Sequence, residues 1–181
     1  PRIVEPIYNE MELMPYRAGF GYAPDAVSMD YLKSVLIYNC LLREGEQSSG
    51  VSLTRAQKIE IALKDARWGI PFIEAGMPVS EEYEKETVRQ IVKKVREENL
   101  PTQIFALSRL LKKDVDIVDK TGANIHIFKA GSAVHSIVRW KDEQNHEGKL
   151  PEQTIDEIYE INKYAHSKCM RVMYSIEDGT R

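Results

Sequence analysis

Short apolar runs alternate along this chain with longer stretches in which apolar residues recur every three to four positions. "VLIYNCLL" (35–42) is a continuous apolar run with β-branched members, the mark of a strand covered on both faces. "IPFIEA" (70–75), "TQIFAL" (102–107), "NIHIFKA" (124–130) and "MRVMYSI" (170–176) repeat that character. Between them lie helical patterns. Thr54 offers an N-cap to "RAQKIEIALKDARWG", with Ile59, Ile61, Ala62 and Ala66 at helical spacing and a stop at Gly69. Ser80 caps a helix whose stripe is Tyr83, Val88, Ile91, Val92 and Val95. A shorter helix spans 112–122, and another begins near Pro151. Five strands separated by helices and short loops predict a parallel α/β arrangement, because each crossover returns the chain to the same end of the sheet. Residues 1–34, rich in proline and tyrosine, form an N-terminal extension with a short helix near 28–34; the catalytic domain follows over 35–181.

Composition narrows the classes. With 181 residues, one domain with a good core is expected. A net charge of −3 shows no footprint for nucleic acid. No apolar stretch approaches the roughly 20 residues of a membrane span, and no signal peptide stands out, so a cytoplasmic protein is expected. Cys40 and Cys169 lie far apart with no metal-binding spacing, and Cys40 reads as a small buried apolar residue.

Candidate chemistry gathers after the strands. "REGEQ", "EAGMP", "GSAVH" and "EDGTR" follow strands one, two, four and five, whereas strand starts are bland and "DEQNHEGK" (142–149) is a solvated loop. Carboxyl ends of parallel strands share one face, and sites are built there. At "LLREGEQSSGVSLTRAQKIEIA", followed by "GIPFIEAGMP", "NIHIFKAGSAVH" and "SIEDGTR", the chain resembles the metal-dependent acyl-CoA condensing enzymes and lyases built on a (β/α)8 TIM barrel: isopropylmalate, homocitrate and citramalate synthases and hydroxymethylglutaryl-CoA lyases. The acidic residue after the arginine is glutamate here, as in homocitrate synthases.

The resemblance implies a divalent metal (magnesium, manganese or zinc), acetyl-CoA and a 2-oxo acid as partners, and a homodimer when full length. Carried over, Glu44 is a metal ligand and Gln47 a neighbour of metal and substrate. Arg43 faces the carbonyl oxygen, and Glu74 is the acidic catalytic residue of the second motif. Ser132, His135, Glu177 and Arg181 contact substrate. The chemistry suits these residue types: a hard cation takes oxygen ligands, and arginine offers a permanently charged fork of donors to an oxyanion. Plainer readings stand beside these. Arg43 and Glu44 form a surface ion pair, Glu74 a salt bridge next to a helix, His135 a structural hydrogen bond, and Glu177 and Arg181 pair with each other. His126, between Ile125 and Ile127, reads as a core or layer residue.

Two departures from the family pattern follow. Asn39, Cys40 and Leu41 stand where the family has Asp-Thr-Thr or Asp-Ser-Thr, which would remove a supporting charge from the site floor. The family's His-x-His pair is missing, and only five of eight barrel strands are present, so an incomplete barrel, inactive by itself, is expected. A lyase on the same scaffold and a non-catalytic half-barrel module are the alternatives to a synthase.

Overall fold

The structure is a computed structural model that describes residues 36–130, 151–168 and 170–178. Five strands form one parallel sheet in chain order: β1 (Tyr38–Asn39), β2 (Phe72–Glu74), β3 (Gln103–Arg109), β4 (Asn124–Ala130) and β5 (Val172–Glu177). Every neighbouring pair is parallel. Unbroken chain order, with no reversal of direction across the sheet, belongs to a (β/α)8 barrel rather than to a doubly wound open sheet. The fold is thus the expected α/β type, five units of a TIM barrel.

The strands alternate with α1 (Leu41–Glu44), α2 (Arg55–Arg67), α3 (Glu82–Glu97), α4 (Lys112–Asp119) and α5 (Pro151–Ser167). Thr54 caps α2 in a capping box: Gln57 N–H donates to the threonine hydroxyl, and the Gln57 side chain accepts from Thr54 N–H. At the other end Gly69, at φ +85°, closes a Schellman motif through Gly69 N–H to Ala66 O and Ile70 N–H to Asp65 O.

The core lies between sheet and helices. Ile73, Ile104, Ala106, Ile125 and Ile127 cover one face of the sheet and pack on Ala62 and Ala66 of α2, Val88, Ile91, Val92 and Val95 of α3, and Val115 and Val118 of α4. Successive strand residues point to opposite faces. The other face, the inner one, therefore carries Tyr38, Phe72, Glu74, Phe105, His126, Met173, Ser175 and Glu177. Three of its rings, Tyr38, Phe72 and Phe105, meet edge to face at 5.8 and 6.0 Å.

Three expectations change. The run 35–42 is not one buried strand: among its described residues only Tyr38–Asn39 pairs, Leu36 and Ile37 are exposed, and the chain turns helical at Leu41. The cause is Asn39, whose side-chain oxygen accepts from Leu41 N–H and bends the backbone, while Cys40 O accepts from Arg43 and Glu44 N–H. Ser80 does not cap α3; its hydroxyl donates to Met77 O in the preceding turn, and Glu81 occupies the N-cap. Tyr83 leaves the apolar stripe, because Glu84 and Thr87 take the buried positions of the first turns, and its ring stacks under the Arg55 guanidinium at 4.4 Å. The extension 1–34, its helix near 28–34 and the loop 142–149 lie outside the described residues.

Candidate active site

The turn begun by Asn39 carries the chain back over the carboxyl end of β1. Leu42, 1% exposed, anchors α1 in the core, and Arg43 and Glu44 project at the mouth of the sheet. Glu74 closes β2 beside them and is wholly buried. One of its oxygens accepts from Arg43 Nε at 2.7 Å. The other meets His126 Nδ1 at 2.6 Å and accepts from the Tyr38 hydroxyl at 3.1 Å.

Hydrogen-bond bookkeeping fixes the protons. A carboxylate accepting from Arg43 and Tyr38 faces His126 Nδ1, so that nitrogen carries a hydrogen. The other ring nitrogen, Nε2, lies 2.7 Å from the Ser175 hydroxyl, which can serve it as donor or acceptor. Burial by itself would raise the Glu74 carboxyl, but hydrogen bonds from His126 and Arg43 and the Arg43 charge outweigh it and hold the group below its ordinary value. Burial first, then the charge of and hydrogen bond to Glu74, push the Tyr38 phenol well above its usual range, so it remains a donor. The result is an ionised carboxylate, both oxygens hydrogen-bonded, under an arginine.

Arg43 also pairs with Glu44, whose side chain is half exposed. Among the described residues these contacts engage two of its five N–H donors. Glu44 and the exposed Gln47 offer hard oxygen donors of the type a divalent cation takes, so the donor chemistry fits such an ion. Among the described residues no three His, Cys, Asp or Glu side chains gather closely enough to hold a metal alone. Glu177 closes β5 two residues beyond Ser175, on the same inner face. Ser132, His135 and Arg181 lie outside the described residues.

Two site features escape the motif reading. Tyr38 and His126 sit inside apolar runs, yet both reach Glu74. The available signal was parity: Ile125 and Ile127 face the helices, so His126 must share the inner face with Glu74. Asn39 corrects an expectation. It lies on the helix-facing side in register with Ile73, and its amide donates to Asp65 of α2 at 2.8 Å. The floor of the site loses no charge by having asparagine there.

A parallel sheet in chain order, with a clamped arginine and carboxylates at the carboxyl ends of its strands, has the architecture of the (β/α)8 class. The family model described as HMGL-like matches residues 34–181, and the chain belongs to that family. Its relatives include 2-isopropylmalate synthases of Sulfurisphaera tokodaii (38% identical over 150 residues, 82% of this chain and 36% of the relative), Methanocaldococcus jannaschii (39% over 148 residues, 81% and 26%) and Oceanobacillus iheyensis (35% over 155 residues, 83% and 28%). The chain spans about a third of the length of these relatives or less. No helix among the described residues is long and apolar enough to cross a membrane.

Proposed function

We propose that the intact protein catalyses a divalent-metal-dependent Claisen-type condensation of acetyl-CoA with a 2-oxo acid. The observation that supports it is the Arg43 guanidinium, fixed between buried Glu74 and exposed Glu44 where the strand ends converge. The acetyl methyl group loses a proton to a general base, and its carbon bonds to the keto carbon of the 2-oxo acid. The keto π pair moves onto oxygen, the Arg43 guanidinium meets the alkoxide there, and the alkoxide takes up a proton, so that the addition leaves the proton count unchanged. Water then cleaves the thioester and CoA leaves. Glu44 and Gln47 would hold the cation, which when bound would act as a Lewis acid on the oxo acid. Glu74 acts as the positioning residue for Arg43: both its oxygens are occupied, and its depressed pKa keeps it charged. Ser132, His135, Glu177 and Arg181 complete the substrate contacts in this reading.

The relatives' name supports 2-oxoisovalerate as the oxo acid, whereas Glu44 supports the longer dicarboxylic 2-oxoglutarate. The test is CoA release from acetyl-CoA with 2-oxoglutarate, 2-oxoisovalerate, pyruvate or oxaloacetate, in the presence of magnesium, manganese or zinc. Release with one of them is expected. Silence with all four in every metal would overturn the proposal, and cleavage of hydroxymethylglutaryl-CoA instead would make the protein a lyase.

A further inference from the structure

The least exposed long side chain of α2 is a lysine. Lys58 is 2% exposed and is the largest fully buried residue of the described fold. Its ammonium donates to Glu84 Oε1 at 3.0 Å and Oε2 at 2.8 Å, and pairs with Glu46 Oε2 at 2.5 Å. Three protons meet three carboxylate oxygens, which satisfies a buried ammonium. Burial favours loss of the proton, but the ammonium's hydrogen bonds to Glu46 and Glu84 and their charges outweigh it and raise the group above its ordinary value.

One carboxylate comes from the loop of the first motif and the other from the helix that follows the second. Glu46 lies in the 3-10 turn Gly45–Gln47, between Glu44 and Gln47 and their neighbours, and its second oxygen accepts from Leu53 N–H at 3.1 Å. One side chain thereby staples both ends of the loop 46–53. Glu84, in the first turn of α3, lies against Gly76, two residues beyond Glu74. At φ +150° Gly76 leaves no room for a Cβ, which would run into the Glu84 carboxylate.

We propose that Lys58 is a positioning residue that, through Glu46, locks the loop after the first strand and so sets Glu44 and Gln47 for the cation. The cation half rests on the condensing reading above; the loop tether does not.

The test uses Glu46→Ala and Glu46→Gln in the intact protein. Glu46→Ala leaves Lys58 and Glu84 as a balanced pair, so the fold is retained. Amide hydrogen exchange across 45–53 should speed up by about tenfold or more, the scale of one lost charge-assisted hydrogen bond. Half-saturating Mn2+, followed by the signal of the free ion with no substrate present, should rise by a similar factor, and Glu46→Gln, whose single oxygen keeps only one of the two bonds, to Leu53 N–H or to Lys58, should lie between. Lys58→Met combined with Glu84→Gln should reproduce the Glu46→Ala result. Unchanged exchange in 45–53 and unchanged Mn2+ binding in Glu46→Ala would overturn the inference; so would a lower melting temperature with Mn2+ binding intact, the mark of a merely structural role. If the wild type neither binds Mn2+ nor releases CoA while exchange still rises in Glu46→Ala, the condensing reading falls and the tether stands.

Discussion

Replacing Glu74 with glutamine keeps the shape of the side chain and removes its charge. In the native site this carboxylate, with no exposed surface, accepts from Arg43, Tyr38 and His126. Glutamine offers one oxygen and one NH2 group, so whichever way the amide is turned, a donor faces a donor at either Arg43 or His126. Removing one partner of a buried ion pair costs about 3–5 kcal/mol. The retained oxygen places Glu74→Gln near the lower end, about 3 kcal/mol, which for a domain of roughly 150–250 residues is a fall in melting temperature of about 6–12 °C.

The pH dependence gives the sharper check. The folded pKa of Glu74 lies below its ordinary value of 4.5, so its contribution is complete above about pH 5 and drains away as pH falls through the folded value. Glu74→Gln lacks that contribution at every pH. Thermal unfolding followed by circular dichroism should therefore show a wide gap between wild type and variant at pH 7 that narrows steadily from about pH 5 downward. A gap that is constant from pH 7 to pH 3, or a variant that melts within a degree of wild type at pH 7, would refute the assignment of Glu74 as an ionised, three-donor acceptor.

Two further outcomes are expected. Arg43→Lys should lower the rate of CoA release by about 100 to 1000-fold, because a single ammonium cannot span Glu74 and Glu44 and still face the alkoxide; near-native turnover would exclude Arg43 from the reaction. Gly76→Ala should lower the melting temperature by more than the few degrees of an ordinary surface change, since it meets both a positive φ and the Glu84 carboxylate; an unaltered melting curve would show that Glu84 moves aside freely.

Much of the scaffold was legible because apolar runs and helical stripes are dictated by burial. Asn124–Ala130 forms β4 over the predicted span, and Thr54 and Gly69 bound α2 through hydrogen bonds that their residue types announce. What failed were places where a side chain overrides the pattern. Asn39 bends a run that hydropathy alone continues to residue 42, and that bend is what delivers Arg43 to Glu74. Within the site, Arg43, Glu44 and Glu74 stood out as charges at strand ends and do meet in space. Tyr38 and His126 were hidden because a polar residue inside a strand can be assigned a face only through the register of its neighbours. Lys58 gave a fainter signal: it falls at i, i+4, i+8 with Ala62 and Ala66, on the stripe that the small residues mark as buried.

The bond between Asn39 and Asp65 has a bearing on how such chains are told apart. A reader sorting them by preferred oxo acid from the triplet ahead of Leu-Arg would be ranking how a strand leans on the helix behind it. Positions 39 and 65 are better taken as a couple, an amide with an acid, that ties the first strand to the outer wall of the barrel.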